Sequence, residues 1–293
     1  MAAPNDINAR HGRTLGSSYN NPAPRRALFR CDDEMIGPRT RFLALTLTWW
    51  MFAGAMSRAA SPCSLAPQGE GQVIAVIDPR GLRLQDGGEV KLVGIEPALP
   101  RGDGMAALAD LVAGRQVTLR GDSDAPDRYG RQPAFVFLGA DADAASAQRQ
   151  LVGRGAALVG IDIAMGACRA ELMAAEASAR QRRQGIWADP AAIKNAENPG
   201  DILAQIGRFA LVEGKVVSVR QAGATVYLNF GRRWTRDFAV TISRRMAGSF
   251  EAQGLHLKSL ENQHIRVRGW VGVRGGPRIE VRRIEQIEWP GRQ

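Results

Sequence analysis

Asp127-Arg128-Tyr129-Gly130-Arg131 runs straight into the apolar stretch Ala134-Phe135-Val136-Phe137-Leu138. Asp and Gly supply a turn, and the apolar residues supply a buried strand. The guanidinium of Arg131 is therefore planted at a strand entrance, where it can face a groove while its neighbours anchor it. A second constellation lies near the C-terminus, in His264-Ile265-Arg266-Val267-Arg268-Gly269-Trp270-Val271-Gly272-Val273-Arg274. A period of two puts Ile265, Val267, Val271 and Val273 on one face of a strand. His264, Arg266, Arg268, Trp270 and Arg274 then fall on the other. Arg278 and Arg282 continue the basic face on a return strand, and the loop carrying Arg232, Arg233 and Trp234 offers the same chemistry at a tip. Guanidinium groups with an interleaved indole suit single-stranded nucleic acid, giving phosphate contacts and a stacking platform. An ordinary solvated strand face and a surface for another polyanion are the alternatives that the pattern leaves open. A steep fall of affinity with salt distinguishes phosphate contacts.

The whole chain supports an anionic partner. It has 293 residues, a formal net charge of +10 and a pI near 10.4, enough length for two ordinary domains. The charge is uneven: residues 70–190 sum to −2 and residues 208–293 to +9. The C-terminal part is therefore the better equipped to hold a polyanion. There are three cysteines and three histidines, and no CxxC or Cys/His cluster, which excludes a structural zinc site.

The elements that must position these residues read as follows. Val73–Ile77 is a buried strand, and Leu82–Leu84 and Val90–Ile95 form a hairpin over Asp86-Gly87-Gly88. A helix follows from Gly104 to Ala113, then strands at Val117–Leu119 and Phe135–Leu138, then helices over about 144–154 and 166–185. Three strands, a helix and two strands is the order of a small OB-type barrel. Residues 191–207, polar and broken by Pro and Gly, read as a linker. From Phe209 the same order of strands and helix recurs, with a final hairpin over Gly275-Gly276-Pro277. The expected architecture is mostly β with helices (α+β): two tandem OB-like five-stranded barrels, over residues 68–190 and 208–289.

The first of these resembles the staphylococcal nuclease (thermonuclease) family over about 70–189. The stretches that carry the resemblance are Val76-Ile77-Asp78 with Leu82-Arg83-Leu84; Val90 to Glu96; Asp127 to Arg131; Leu151-Val152-Gly153-Arg154-Gly155; and Glu176 through Ala179 to Gly185-Ile186-Trp187. The resemblance implies Ca²⁺ held by two carboxylates and a carbonyl, a glutamate that activates water, and two arginines that stabilise charge building on phosphorus. Carried over, one arginine is Arg131, with Tyr129 beside it. The other falls on Lys91, a point charge without the planar fork. The metal carboxylates fall on Arg80, beside Asp78, and on Glu96; the carbonyl falls on Pro97 and the base on Leu99. The two tyrosines that stack on the nucleotide fall on Ile161 and Ile163. A missing general base costs about 10²–10⁴ in rate, so catalysis is expected to be lost or much weakened. Asp78 and Arg80 face the same side of a strand, so the Arg80 guanidinium is expected between Asp78 and Glu96, in place of calcium.

A basic segment, Met35–Arg41, precedes the apolar run Phe42–Met56, and Ser57-Arg58-Ala59 supplies small residues at a cleavage spacing. This is the anatomy of a secretory signal peptide over 35–59. Residues 1–34 then read as disordered or as a mis-assigned start. Export to the periplasm or outside the cell follows, with no membrane span after cleavage. The mature chain would keep Cys63 and Cys168 in an oxidising compartment, where a disulfide between them is expected. The reading is an exported thermonuclease-like protein that binds nucleic acid or another polyanion and needs no cofactor. The alternatives are an active Ca²⁺-dependent phosphodiesterase with a rearranged site, its base recruited from Asp103 or Asp127, and a module that binds an envelope polyanion.

Overall fold

A computed structural model describes residues 63–98, 104–123, 125–139, 145–162 and 166–290. The leader (1–34 and 35–59), Leu99, Asp103 and Ile163 lie outside them. Ser57–Gln293 forms one compact unit. Among the described residues no helix is long and apolar enough to cross a membrane.

The first half runs β1 (Ala66–Asp78), β2 (Gly81–Leu84), β3 (Glu89–Leu92), β4 (Ile95–Pro97), α1 (Gly104–Val112), β5 (Gln116–Gly121), β6 (Gln132–Leu138), α2 (Ala147–Gly153), β7 (Ala157–Val159) and α3 (Gly166–Gln181). Strands β1-β2-β3-β6-β5 close into a barrel. Closure depends on β1 serving two neighbours. Residues 66–72 pair with β5 and residues 73–78 pair with β2. Register shifts at Val73/Ala75 and Val76/Asp78 bend the strand from one partner to the other, as bulges do at barrel corners. Only Val73 of the Val73–Ile77 run is fully buried, and Ile74 is exposed, because a strand in a closed barrel has one face outward. The barrel is filled by Leu82, Val90, Leu92, Val117, Leu119, Val136 and their neighbours, with α1 and α2 sealing it through Leu108, Val112 and Leu151.

Two glycines fix the end of α3. Gly155 (φ +67°) and Gly185 (φ +55°) pack back to back, and a Cβ on Gly155 would lie 2.1 Å from the Gln184 carbonyl oxygen. No other residue fits either place. A disulfide joins Cys63 to Cys168, with Cα atoms 4.5 Å apart and 105 residues between them in sequence. It ties the start of the described chain to α3.

The second half contains β8 (Ile193–Asn195), α4 (Pro199–Leu203), β9 (Phe209–Lys215), β10 (Ser218–Ala222), β11 (Thr225–Asn229), β12 (Ala239–Ser243), α5 (Arg244–Ala252), β13 (His264–Arg274), β14 (Gly276–Glu280) and β15 (Ile287–Glu288). Its sheet runs β10-β11-β12-β14-β13-β9-β8, with β15 on β13. Unlike the first barrel, the path is not closed by hydrogen bonds, because the chain breaks at Val216-Val217 between β9 and β10. Residues 191–207 are not the linker expected from sequence. β8 adds to the sheet in parallel with β9, and Ala196 and Ile202 are buried in the second core. With Ile193, which packs against a third apolar cluster, these are three anchors in a short stretch, too few to make a period.

The two halves share an apolar seam of Ala98, Leu158, Ala179, Trp187, Phe209 and Leu211. Beside it lies a buried ion network. Arg268, with no exposed surface, reaches Glu176 (Nη2–Oε1 2.9 Å), Glu288 (Nε–Oε1 2.6 Å) and the Val159 carbonyl (2.7 Å). Glu176, equally buried, also accepts from the Val159 N–H (2.8 Å) and from Arg180 (2.6 Å). Burial alone would raise the Glu176 pKa, but Arg268 outweighs it and the carboxyl lies below its ordinary range. Arg266 is likewise taken up by Glu213 (2.6 Å) and Glu288 (3.4 Å). Arg266 and Arg268 therefore do not belong to an exposed basic face. Alternation put them opposite the core correctly, but on that side Arg268 meets acceptors of α3 and β7, and Arg266 meets Glu213 of β9 and Glu288 of β15. Removing Arg268 leaves the buried Glu176 with Arg180 and the Val159 N–H alone and deprives Glu288 of a partner, so Arg268→Ala should cost about 3 kcal/mol. Urea unfolding under non-reducing conditions measures it; a loss below about 1 kcal/mol would mean that the pair does not hold the seam.

Candidate functional site

Two places carry the chemistry. The first is the rim of the closed barrel, where β1, β2, β3, β4 and the turn before β6 converge. The turn is built on Asp127. Its carboxylate accepts from the backbone N–H of Tyr129 (2.9 Å) and Arg131 (3.1 Å) and from the Arg131 Nη2 (2.8 Å), and Gly130 adopts φ +80° to close it. Arg131 also faces Asp78 Oδ2 at 3.6 Å and lies over the Tyr129 ring, 5.3 Å from its centroid. Tyr129 itself is 65% exposed. Partial desolvation would raise the Asp127 pKa, but the hydrogen bonds from Arg131 and Tyr129 outweigh it and hold it at about 2. So weak a base is far from the working pH that general-base catalysis favours. Asp127 is thus a clamp for Arg131.

Arg80 sits where sequence placed it, with one difference. Its Nη1 meets Glu96 Oε1 at 2.8 Å and the Ile95 carbonyl at 2.9 Å, with Asp162 Oδ2 at 4.0 Å. Asp78 is not bridged by that guanidinium; it accepts the Arg80 backbone N–H (2.7 Å) and turns its other oxygen to Arg131. Lys91 points at Asp162 (3.8 Å), which also accepts from the Gly94 N–H (2.8 Å). Asp162 was missed from sequence. Its only signal was a lone carboxylate between Ile161 and Ile163, and period alone cannot say which way it faces. Arg80, Lys91 and Arg131 thus each lie against a carboxylate, while Arg128 of the same turn stacks on Tyr129.

Calcium, as the resemblance implies it, would need the Asp78 and Glu96 carboxylates and a carbonyl turned to one point. Among the described residues no group of three or more Asp, Glu, His or Cys side chains is disposed to hold a metal. Glu96 is nearly buried and its Oε2 has no hydrogen-bond partner. Burial raises its pKa to about 7, against the opposing pull of Arg80. A carboxyl whose protonated form is favoured by burial, with a guanidinium on its other oxygen, is a poor ligand for a hard cation. The residues present do not fit the ion.

The second place is the outer face of the second sheet. The loop between β11 and β12 carries Arg232, Arg233, Trp234 and Arg236, all exposed, with Trp234 at 76%. It is closed by Asp237, whose Oδ2 accepts the Arg233 N–H at 2.8 Å. A Cβ on Gly275 would be 3.6 Å from the Thr235 Cα, so this loop lies against the β13–β14 turn and brings Arg274 to the same end. Trp270, 47% exposed, is braced edge-on by Phe209 at 6.0 Å. Arg282 is exposed and paired with Glu280 at 2.9 Å. Arg278 is half-buried on β14. Of the predicted basic set, the structure gathers Arg232, Arg233, Trp234, Trp270, Arg274, Arg278 and Arg282 on this side and withdraws Arg266 and Arg268.

A closed five-stranded barrel with an arginine-bearing turn at its rim and helices at its base is an OB-type domain of nuclease-like form. Residues 103–189 match the family model of staphylococcal nuclease homologues, so the chain carries a domain of that family. The match takes in Tyr129 and Arg131 and stops short of Asp78, Arg80, Lys91 and Glu96. Curated proteins give no match to the chain.

The Glu96 carboxyl titrates near 7 in the folded chain and near 4.5 when unfolded. Between these values the unfolded chain releases a proton that the folded one keeps, so stability should fall as pH rises from about 4.5 to 7. Glu96→Gln should flatten that decline. Thermal unfolding across the interval measures it, and an unchanged slope would refute the assignment.

Proposed function

We propose that this chain is an exported nucleic-acid-binding protein built on a thermonuclease-like domain, with phosphodiester hydrolysis lost or much weakened and no metal required. The observation that carries the reading is where the positive charge stands. On the barrel rim Arg80, Lys91 and Arg131 each face a carboxylate, which leaves little field for a phosphate or for charge developing on phosphorus. On the second sheet Arg232, Arg233, Arg236 and Arg274 are exposed around Trp234, which is the composition of a single-strand binding surface. The apolar leader segment supports export, as does the Cys63–Cys168 disulfide, which suits an oxidising compartment.

The second sheet is read as another OB-like barrel. β9 pairs with β13 and β10 with β11, as the two halves of β1 pair with β5 and β2. The parallel β12·β14 contact mirrors β3·β6. Taking β9 and β10 as one bent strand makes the two halves alike.

The test is to incubate the protein with single-stranded DNA and RNA, with Ca²⁺ and with chelator, scoring cleavage and binding in the same samples. Retention of intact strands under both conditions is expected, with affinity falling steeply as salt rises. Calcium-dependent cleavage would establish the phosphodiesterase alternative. Binding to an acidic polysaccharide with none to either nucleic acid would establish the envelope alternative.

A further inference from the structure

The face of the second sheet holds a groove of about 660 Å³, within the range of small-ligand clefts, about 300–1,000 Å³. Thr225 and Tyr227 of β11, Thr241 and Ser243 of β12 and Trp270 of β13 line its floor, and Ile161 of the first barrel closes one side. That wall is firmly set. The neighbouring Asp162 accepts from the Gly94 N–H, and Arg169 donates both to the Gly160 carbonyl and to the Glu285 carbonyl of the second half. The groove is thus a joint product of both halves, and its volume suits a nucleotide or two laid along the sheet.

Arg278 is the unusual residue in it. Its cross-strand neighbours are Ala239 on β12 and Gly272 on β13. A Cβ at Gly272 would meet nothing within 4 Å, so the sheet is open at that neighbour, and the guanidinium reaches toward Gly275, whose Cβ would lie 3.9 Å from Arg278 Nη2. The Arg278 Nε is buried without a hydrogen-bond partner, and among the described residues no carboxylate pairs with this side chain. Arg282, in the same groove, is already held by Glu280. An anion that enters the groove would give the Arg278 guanidinium the charged partner it lacks. Hydroxyl groups on the floor can donate to the same anion. Trp270 stands half exposed within the same groove.

We propose that this groove binds one phosphodiester of a single-stranded nucleic acid, with Arg278 holding the phosphate and Trp270 stacking the adjoining base. The inference rests on the nucleic-acid reading above and gives it a place. The Arg232-Arg233-Trp234 tip then serves as an electrostatic approach to the groove.

The experiment is fluorescence anisotropy of a labelled oligothymidylate titrated with the full-length chain. Arg278→Gln and Trp270→Ala should each weaken binding by about tenfold or more. Arg282→Gln, whose guanidinium is already engaged, should change it by less than about twofold. Trp270→Ala truncates a half-exposed side chain, so it decides the matter if Arg278→Gln fails to fold. Unchanged affinity in the groove variants, with loss on substituting Arg232 and Arg233, would overturn the groove while leaving nucleic-acid binding intact. No binding of oligonucleotide, against firm binding of heparin or of anionic phosphatidylglycerol vesicles, would overturn both.

Discussion

Arg268 gives up water entirely to meet Glu176, Glu288 and the Val159 carbonyl. Taking a guanidinium and a carboxylate out of water costs several kcal/mol for each ion, and the pairing offsets this only when every donor and acceptor is matched. Here the match draws on α3, β7, β13 and β15 together, so it can be satisfied at one relative placement of the two sheets. The apolar seam of Trp187, Phe209 and Leu211 is non-directional and would tolerate sliding; the ion network would not. That placement puts Ile161 at the side of the second sheet and gives the groove its wall. It also brings Arg169 to the Glu285 carbonyl.

The same physics explains the barrel rim. A fold that leaves a carboxylate at Glu96 under the sheet edge must neutralise it by a metal, a proton or a side-chain cation. This chain uses Arg80 together with partial protonation, as the raised pKa indicates. Arg131, which could otherwise stabilise a phosphorane-like charge, is committed to Asp127 and Asp78. A rim arranged in this way is neutralised from within. The chain carries its surplus positive charge elsewhere, over 208–293, where Arg232, Arg233, Arg236 and Arg274 are exposed.

Much of this was legible in the sequence, where the signal was local. The Asp86-Gly87-Gly88 hairpin, the Asp127–Arg131 turn and the glycines at 155 and 185 depend on backbone conformations that few residues can adopt. Order and type of elements in the first barrel followed from them. What stayed hidden was set by tertiary context. Alternation along β13 separates two faces but cannot say which of them meets another domain, so Arg266 and Arg268 read as exposed when they are the most buried arginines of the strand. The 191–207 segment reads as a linker because three anchors, Ile193, Ala196 and Ile202, carry no period. Arg278 looked like one more surface arginine, and only its small cross-strand neighbours and its orphaned Nε set it apart.

The claim on which the rest turns is that Arg80 stands where a divalent cation would have to stand. Calorimetric titration of the folded chain with Ca²⁺ addresses it directly. The account predicts no saturable heat from the native sequence. Tight, saturable calcium binding that Glu96→Gln abolishes would contradict it, because the carboxylate would then be free for a metal and the guanidinium merely beside it.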